Sequence, residues 1–312
     1  MKYNHLETVK KLNTSFSSLL RIPFLVMFGI SMLIHFVIKD HIYPISILYY
    51  ASAPLLLIVG GLILSILFFE KKKVFYLLIF TSLCLICYWI TNYYNSLSTS
   101  VSTNFSKTIL FWNIGRSKEV SFRILLKEVQ DKSPNIIGMV EAKGITDENI
   151  KEFKDKFPNY DMQKLGGDMV VAVKGRIDTI SHFSKTASFK FNEIHFTSNN
   201  EKRSVLIADI NAIPFGTRST ALDSIYKFAI KNNSSFIMGD FNTPYESVYF
   251  DDFRKNLQSF HSVATGFTAT WPYGVPLLEI DQIWSNKNIQ PVLLEKKYYK
   301  VSDHALLTAT YQ

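Results

Sequence analysis

The chain begins with long unbroken apolar runs and changes, near residue 107, to short ones. Ile22–Ile38 (IPFLVMFGISMLIHFVI), Ile47–Phe69 (ILYYASAPLLLIVGGLILSILFF) and Val74–Thr91 (VFYLLIFTSLCLICYWIT) contain no Asp, Glu, Lys or Arg. A helix rising about 1.5 Å per residue needs roughly 17–25 residues to cross a bilayer, so each run predicts a transmembrane helix. Inside lipid the backbone must satisfy its own hydrogen bonds, which leaves helix as the conformation for all three. Pro23 suits a first helical turn, and Pro54 predicts a kink in the second helix. Tyr49, Tyr50, Tyr88 and Trp89 fall near the ends, where amphipathic rings favour the headgroup layer. His35 is the one titratable side chain in the first run, and near a helix end it can reach the interface. The polar leader before Ile22 is long, no small-x-small cleavage site follows, and two more apolar runs come after. An anchor is expected rather than a cleaved signal.

Beyond residue 107 the pattern predicts alternating strands and helices. Thr108–Asn113, Asn135–Val140, Met169–Val173, Val205–Ile210, Phe236–Met238 and Ile280–Trp284 read as strands, most of them buried. Ser121–Asp131 and Thr220–Lys231 carry apolar residues at helical spacing. The Gly166-Gly167 pair reads as a turn before a strand rather than as a phosphate-binding loop.

Composition agrees with a chain partly in lipid. Hydrophobic residues make up 47% and charged residues 19% of 312, against about 25% charged in an average soluble protein. The net charge of +8 is uneven. Residues 1–92 hold eight Lys/Arg and three acids, and the remainder holds 26 and 23. The basic excess therefore sits mostly in the apolar region, which makes it weak support for a nucleic-acid partner. Basic residues cluster in the N-terminal tail and at Lys71–Lys73, so the inside-positive rule places the N-terminus in the cytoplasm and residues 92–312 outside. The expected location is the cytoplasmic (inner) membrane, multi-pass. Asn92–Lys107, rich in Ser and Thr, reads as a flexible linker to a domain over 108–312. The two cysteines, Cys84 and Cys87, both lie in the third apolar run, which excludes a four-thiolate zinc site, a disulfide framework and cysteine catalysis in the polar region.

Candidate chemistry gathers at the strand ends. Asn113 ends the first strand and Glu141 the second, in VEAKG. Asp240 and Asn242 follow FIM in GDFNTP, Asp281 sits within LEIDQIW, and Asp303-His304 stand in VSDHALL. A rigid scaffold converges side chains on one cleft at such places. Hard oxygen donors with one imidazole and no thiol suit Mg²⁺, Mn²⁺ or Ca²⁺ rather than structural zinc. Phosphoester hydrolysis uses such a set: a dication for the phosphoryl oxygens, a group to place water, and a His held by a carboxylate. Singly, Asn113, Asp240 and Asn242 are as well read as turn formers, Glu141 as a loop acid, and SDH as a cap. A carboxylate between Ile280 and Ile283 is harder to explain without a partner or a role.

Taken in order, NIG, VEAKG, GDFNTP, EIDQIW and SDHALL resemble the endonuclease/exonuclease/phosphatase superfamily over about residues 108–310. With the apolar N-terminal runs and TATWP at 268–272, the chain looks most like a bacterial membrane-anchored branch, some of whose members are linked to teicoplanin resistance. The resemblance implies an α+β fold, a four-layer α/β/β/α sandwich with the cleft at one edge. It also implies Mg²⁺ or Mn²⁺ held by Asn113 and Glu141 with Asp303 near it. Asp240 and Asn242 would orient water and phosphate, and His304 would be the catalytic imidazole, oriented by Asp281.

One position departs from the family pattern. Where many members carry a second His in H-x-x-P, this chain reads Asn211-Ala-Ile-Pro214. Asn donates hydrogen bonds to a phosphoryl oxygen but supplies no proton. A leaving group that needs no protonation, a substitute acid or a weakened site would each account for it. Asp209 is the first substitute by strand alternation, followed by His182, His195 and His261. The expected function is metal-dependent phosphoester hydrolysis outside the membrane, on a lipid-linked or membrane-proximal phosphate, with the lipid bilayer as partner. An extracytoplasmic nuclease and a non-enzymatic phosphate-ligand binder are the alternatives.

Overall fold

The computed structural model describes residues 21–96, 107–115, 119–185, 189–213 and 218–312. The basic tail before Arg21 and most of the expected linker, 97–106, lie outside the described residues. The chain divides into two compact units, Met1–Asn92 and Tyr93–Gln312.

The first unit is helical: α1 (Arg21–Ile38), α2 (Ser46–Ala51), α3 (Pro54–Leu67) and α4 (Lys72–Tyr93), whose last residue belongs to the second unit. The second expected span is corrected here. Instead of kinking one helix, Pro54 separates two. Residues before proline are pushed out of the α region, and Ala53 is extended at φ −49° and ψ 143° with Pro54 opening α3. The 14 residues of α3 extend roughly 21 Å, short of a bilayer core. Among the described residues two helices, α1 and α4, are long and apolar enough to cross a membrane. His35 also differs from expectation, since it is buried with its ring stacked on Tyr49.

The second unit begins with β1 (Tyr94–Asn95), β2 (Lys107–Asn113), α5 (Glu119–Lys132), β3 (Ile136–Val140) and α6 (Asp147–Lys156). Then come β4 (Tyr160–Leu165), β5 (Met169–Lys174), β6 (Arg176–Lys185), β7 (Phe189–Ser198) and β8 (Glu201–Ile210). After α7 (Ser219–Lys231) follow β9 (Phe236–Asp240), α8 (Asp251–Asn256), β10 (Gln258–Ser259) and β11 (Gly266–Phe267). The last three strands are β12 (Asp281–Ser285), β13 (Pro291–Tyr298) and β14 (Ala305–Tyr311).

Two six-stranded sheets form, in the orders β13-β14-β2-β3-β5-β4 and β10-β12-β9-β8-β7-β6. Strand alternation sorts β2 between layers: Ile109 and Phe111 join a core with Ile207, Met238 and Ile283 of the other sheet, while Leu110 and Trp112 pack on Phe122 and Leu125 of α5. The outer face of the second sheet, with Leu206, Ile237 and Trp284, is covered by Leu222 and Ile225 of α7 and Phe253 of α8. The result is the α/β/β/α sandwich. A capping box starts α6, in which Thr146 Oγ1 accepts from Asn149 N and Asn149 Oδ1 accepts from Thr146 N.

Tyr94 and Asn95, assigned to the linker from sequence, pair with Phe267 and Gly266, and Tyr93 O accepts from Thr268 N at 2.8 Å. Cutting at residue 107 removes that pairing. A fragment 93–312 is therefore expected to melt above a fragment 107–312 in a thermal scan; equal melting temperatures would show β1 to be dispensable.

Parallel pairing sets the functional edge. β2 lies beside β3 with Asn113 opposite Val140, and β8 beside β9 with Asp209 opposite Asp240. Antiparallel β12 puts Asp281 opposite Asp240. Gly239 permits the β8–β9 approach, because a Cβ there would lie 2.4 Å from the Ala208 carbonyl oxygen. Gly239→Ala must shift backbone, not a flexible side-chain end. A loss of roughly 1–3 kcal/mol is expected, read from the urea midpoint; an unshifted midpoint would show that the strands relax freely.

Candidate active site

Asp281, buried and first in β12 rather than mid-strand as the sequence suggested, receives its position from Thr270. The Thr270 hydroxyl accepts from both Ile280 N (3.1 Å) and Asp281 N (3.0 Å). Asp281 Oδ2 lies 2.8 Å from His304 Nδ1, which turns Nε2 toward two further carboxylates. Asp240 Oδ2 and Asp303 Oδ1 are each 3.9 Å from Nε2. The histidine is fixed from its backbone as well: His304 N donates to Ser302 Oγ (3.1 Å), and Ser302 Oγ donates to Asn113 O (2.7 Å).

Asn113 reaches from β2 in one sheet to β9 in the other. Its Nδ2 donates to Asp240 Oδ2 (2.8 Å) and its Oδ1 accepts from Gly115 N (2.9 Å). Asp240 Oδ1 accepts from Asn242 N (2.9 Å), and Asn242 Nδ2 donates to Ile210 O (2.8 Å). The end of β8 is thus tied to the GDFN turn. Glu141 is half-buried one residue beyond β3, and its φ of 51° is left-handed, as is the 47° of Asn242. Such conformations cost energy for a side-chain-bearing residue and concentrate at functional sites.

The electrostatics follow from burial. Asp240 is buried, and desolvation followed by the facing Asp281 raises its pKa well above the usual carboxylate value, with Asp209 adding and His304 opposing. At His304, burial works against the charged ring. Asp281, by charge and hydrogen bond, with Asp240 and Asp303, outweighs it and lifts the pKa to about 10. Asp281 Oδ1 is buried without a hydrogen-bond partner, and burying such a carboxylate oxygen is costly.

Asn113, Asp240, Asn242, Asp281, Asp303 and His304 are joined by these contacts, and register puts Glu141 at the same edge. Asn211 follows β8, where its Oδ1 accepts from Ile213 N at 3.0 Å in an Asx turn. Of the substitutes for its missing proton, Asp209 is ion-paired with Lys190 (3.0 Å). His182 bonds Asn192 (2.9 Å) and His195 lies 3.4 Å from Glu193.

His261 is engaged with Glu279 (2.7 Å) and stacked on Tyr245. Burial disfavours its charged form, but Glu279 and then Glu246 outweigh burial and an opposing Lys296, so the pKa is raised. A raised histidine stabilises the fold in full below about pH 6.5, and that contribution fades as pH climbs through the folded value. His304 adds slope of the same sign, so the comparison is with wild type: His261→Gln should flatten the fall in melting temperature above pH 6.5. An unchanged slope would exclude the pair as its source.

Sequence reasoning missed Thr270, Trp271, Ser302 and Lys190. Trp271 Nε1 donates to Asp303 Oδ2 at 2.8 Å. Ser302 neighbours the SDH pair and Thr270 lies in TATWP, but hydroxyls that act through backbone groups leave no pattern of their own.

The donor chemistry fits a hard dication. Asp303 offers a carboxylate at a cleft, Glu141 stands at the same strand edge, Asn113 Oδ1 keeps a second lone pair, and residues 93–312 contain no cysteine. A second grouping, Asp240, Asp281 and His304, brings donor atoms within 4.8 Å of one another. There the 2.8 Å Asp281–His304 contact is already a hydrogen bond, and all three are buried.

A sequence profile described as the Endonuclease/Exonuclease/phosphatase family matches residues 110–304, and the chain belongs to that family. Its members are phosphoester hydrolases, phosphatases and nucleases among them, and typically use divalent metals. No curated protein matches the chain by sequence. Among solved structures it is similar to the mannosyl-6-phosphatase of Bacteroides thetaiotaomicron, at 14% identity over 66% of this chain and 99% of that one, TM-score 0.53. It is also similar to TDP2 of D. rerio in complex with a single-strand DNA product, at 12% identity over 67% and 100%, TM-score 0.52. The human Nocturnin catalytic domain with a bound sulfate anion aligns at 14% identity over 66% and 94%, TM-score 0.52. At these identities the likeness is one of fold.

Proposed function

We propose that the protein is a membrane-anchored, divalent-metal-dependent phosphoester hydrolase that acts outside the membrane on a lipid-linked or membrane-proximal phosphate. The observation that carries the reading is the His304–Asp281 pair, whose Nε2 faces Asp240 and Asp303 across a gap of 3.9 Å each. Asp281 holds the ring so that Nε2 handles the proton of the attacking water or the leaving oxygen. Asp240, steadied by Asn113 and Asn242 N, positions the water, and Asn242 and Asn211 supply amide donors near phosphate. Glu141, Asn113 and Asp303 would hold Mg²⁺ or Mn²⁺, which when bound neutralises charge on the phosphoryl oxygens.

Membrane anchoring is supported by α1 and α4. Only 11% and 17% of their apolar windows are buried, and Val26, Met27, Val37, Leu77 and Phe80 are exposed. Such side chains need a nonpolar surrounding. An outer location is supported by Lys71–Lys73 at the start of α4, which mark that end as the inner one, and it requires α2 and α3 together to carry the chain across once between α1 and α4. A cysteine at exposed Ser96, with Cys84 and Cys87 changed to Ser, should react with an impermeant maleimide on intact cells; protection would overturn the topology.

Full-length protein with Mg²⁺ or Mn²⁺ should release phosphate or headgroup from lipid phosphates and lose this with chelator. Cleavage of DNA or RNA without action on lipid phosphates would make it a nuclease, and binding without turnover under any dication would make it a non-enzymatic receptor.

A further inference from the structure

Beside the cleft stands a loop with no charge. Trp271 and Leu278 exchange backbone hydrogen bonds (3.0 and 2.9 Å), closing a neck below Pro272-Tyr273-Gly274-Val275-Pro276-Leu277. Tyr273 is 40% and Val275 44% exposed, two of the five exposed large hydrophobics among the described residues of this unit. The neck is built into the site: Trp271 bonds Asp303, and Thr270 just before it holds the Asp281 backbone. Tyr273 also lines a cleft of about 330 Å³ with Lys300, Asp303, Ser302 and Gly115. An apolar side chain, a lysine and the Asp303 carboxylate thus line one cleft, which offers surfaces for hydrocarbon, for an anionic headgroup and for chemistry.

We propose that the Trp271–Leu278 loop is a bilayer-contacting lip that, with Lys300, draws the phosphate headgroup of a lipid into the cleft beside Asp303. The occupant is a lipid surface rather than a protein for two reasons. The same chain carries two helices long and apolar enough to cross a membrane, and the loop offers no side-chain charge that would give a protein partner register. Tyrosine suits such a boundary, with its ring in the acyl region and its hydroxyl among headgroups. Lys300, exposed at the cleft, matches an anionic headgroup in charge. The substrate part rests on the phosphoester-hydrolase reading; bilayer contact does not.

The test uses the full chain in vesicles of phosphatidylethanolamine and phosphatidylglycerol, with Cys84 and Cys87 changed to Ser and a nitroxide on Val275→Cys. The label should collide readily with oxygen and poorly with a water-soluble nickel chelate, compared with a label on Ile230→Cys, an exposed apolar site on α7. Accessibility equal to that control overturns bilayer contact. In the same vesicles, Tyr273→Ser with Val275→Ser should lower the ratio of turnover on long-chain to short-chain phosphatidic acid by about tenfold or more, the scale of losing one well-buried apolar side chain. An unchanged ratio, with turnover present, overturns the role in substrate capture. A shielded label with no turnover on either lipid leaves the lip standing and removes the hydrolase reading.

Discussion

Asp281→Asn is expected to lower turnover by about 10²–10⁴-fold, the range for disabling a general acid–base unit, and to lower the melting temperature at neutral pH. The two effects share a cause, because the carboxylate that orients the ring also stabilises its charged form in the fold. For the reaction, Asp281 Oδ2 fixes His304 Nδ1 and carries the charge that favours a protonated ring. For the fold, the same contact pairs a buried ring with a buried carboxylate, and removing one partner of such a pair is destabilising. Asn keeps the shape but cannot stabilise an imidazolium. Turnover and thermal melts on one preparation decide the matter. Activity within threefold of wild type would mean that the ring is not oriented by this carboxylate.

Metal dependence should be as large. Chelation is expected to abolish turnover, and Glu141→Ala to lower it by about 10²–10³-fold or more, the scale of removing a preorganised electrostatic contact. Added Mg²⁺ or Mn²⁺ should recover part of the loss. A second substitution separates ligand from fold. Glu141 sits at φ 51°, a conformation that costs a Cβ-bearing residue roughly 1–2 kcal/mol. Glu141→Gly relieves that strain, offset by about 0.5–1 kcal/mol from the freer unfolded chain. Glycine should therefore be as inactive as alanine but more stable by urea unfolding. Full activity in both variants would remove Glu141 from the metal site.

Much of this arrangement was legible in the sequence, for a physical reason. Strands buried on both faces read as continuous apolar runs, so β2, β3, β5, β8, β9 and β12 stood out, and their polar terminal residues were visible as interruptions. The edge strands were not visible: β6, RIDTISHFSK, is largely exposed, and β4, YDMQKL, alternates weakly. Helix α6 has one buried residue, Phe153, and is held by its capping box; amphipathic pattern alone does not find such a helix. The second apolar run misled because hydropathy counts residues and does not register that Ala53 must leave the helix before Pro54. In the site, acids and amides announced themselves by type, whereas Thr270, Trp271 and Ser302 matter through whom they touch.

The strand order carries a consequence for biosynthesis. The last of the described strands, β14, does not add to an edge; it inserts between β13 and β2, one of the first strands made. Until β14 is in place, β13 has no strand joining it to β2 and the rest of the sheet. His304, one residue before that strand, reaches Asp281 and Asp240 only then. The acids, amides and imidazole can meet only once β14 is in place, so a chain that stops short of it carries the parts of a catalyst without being one.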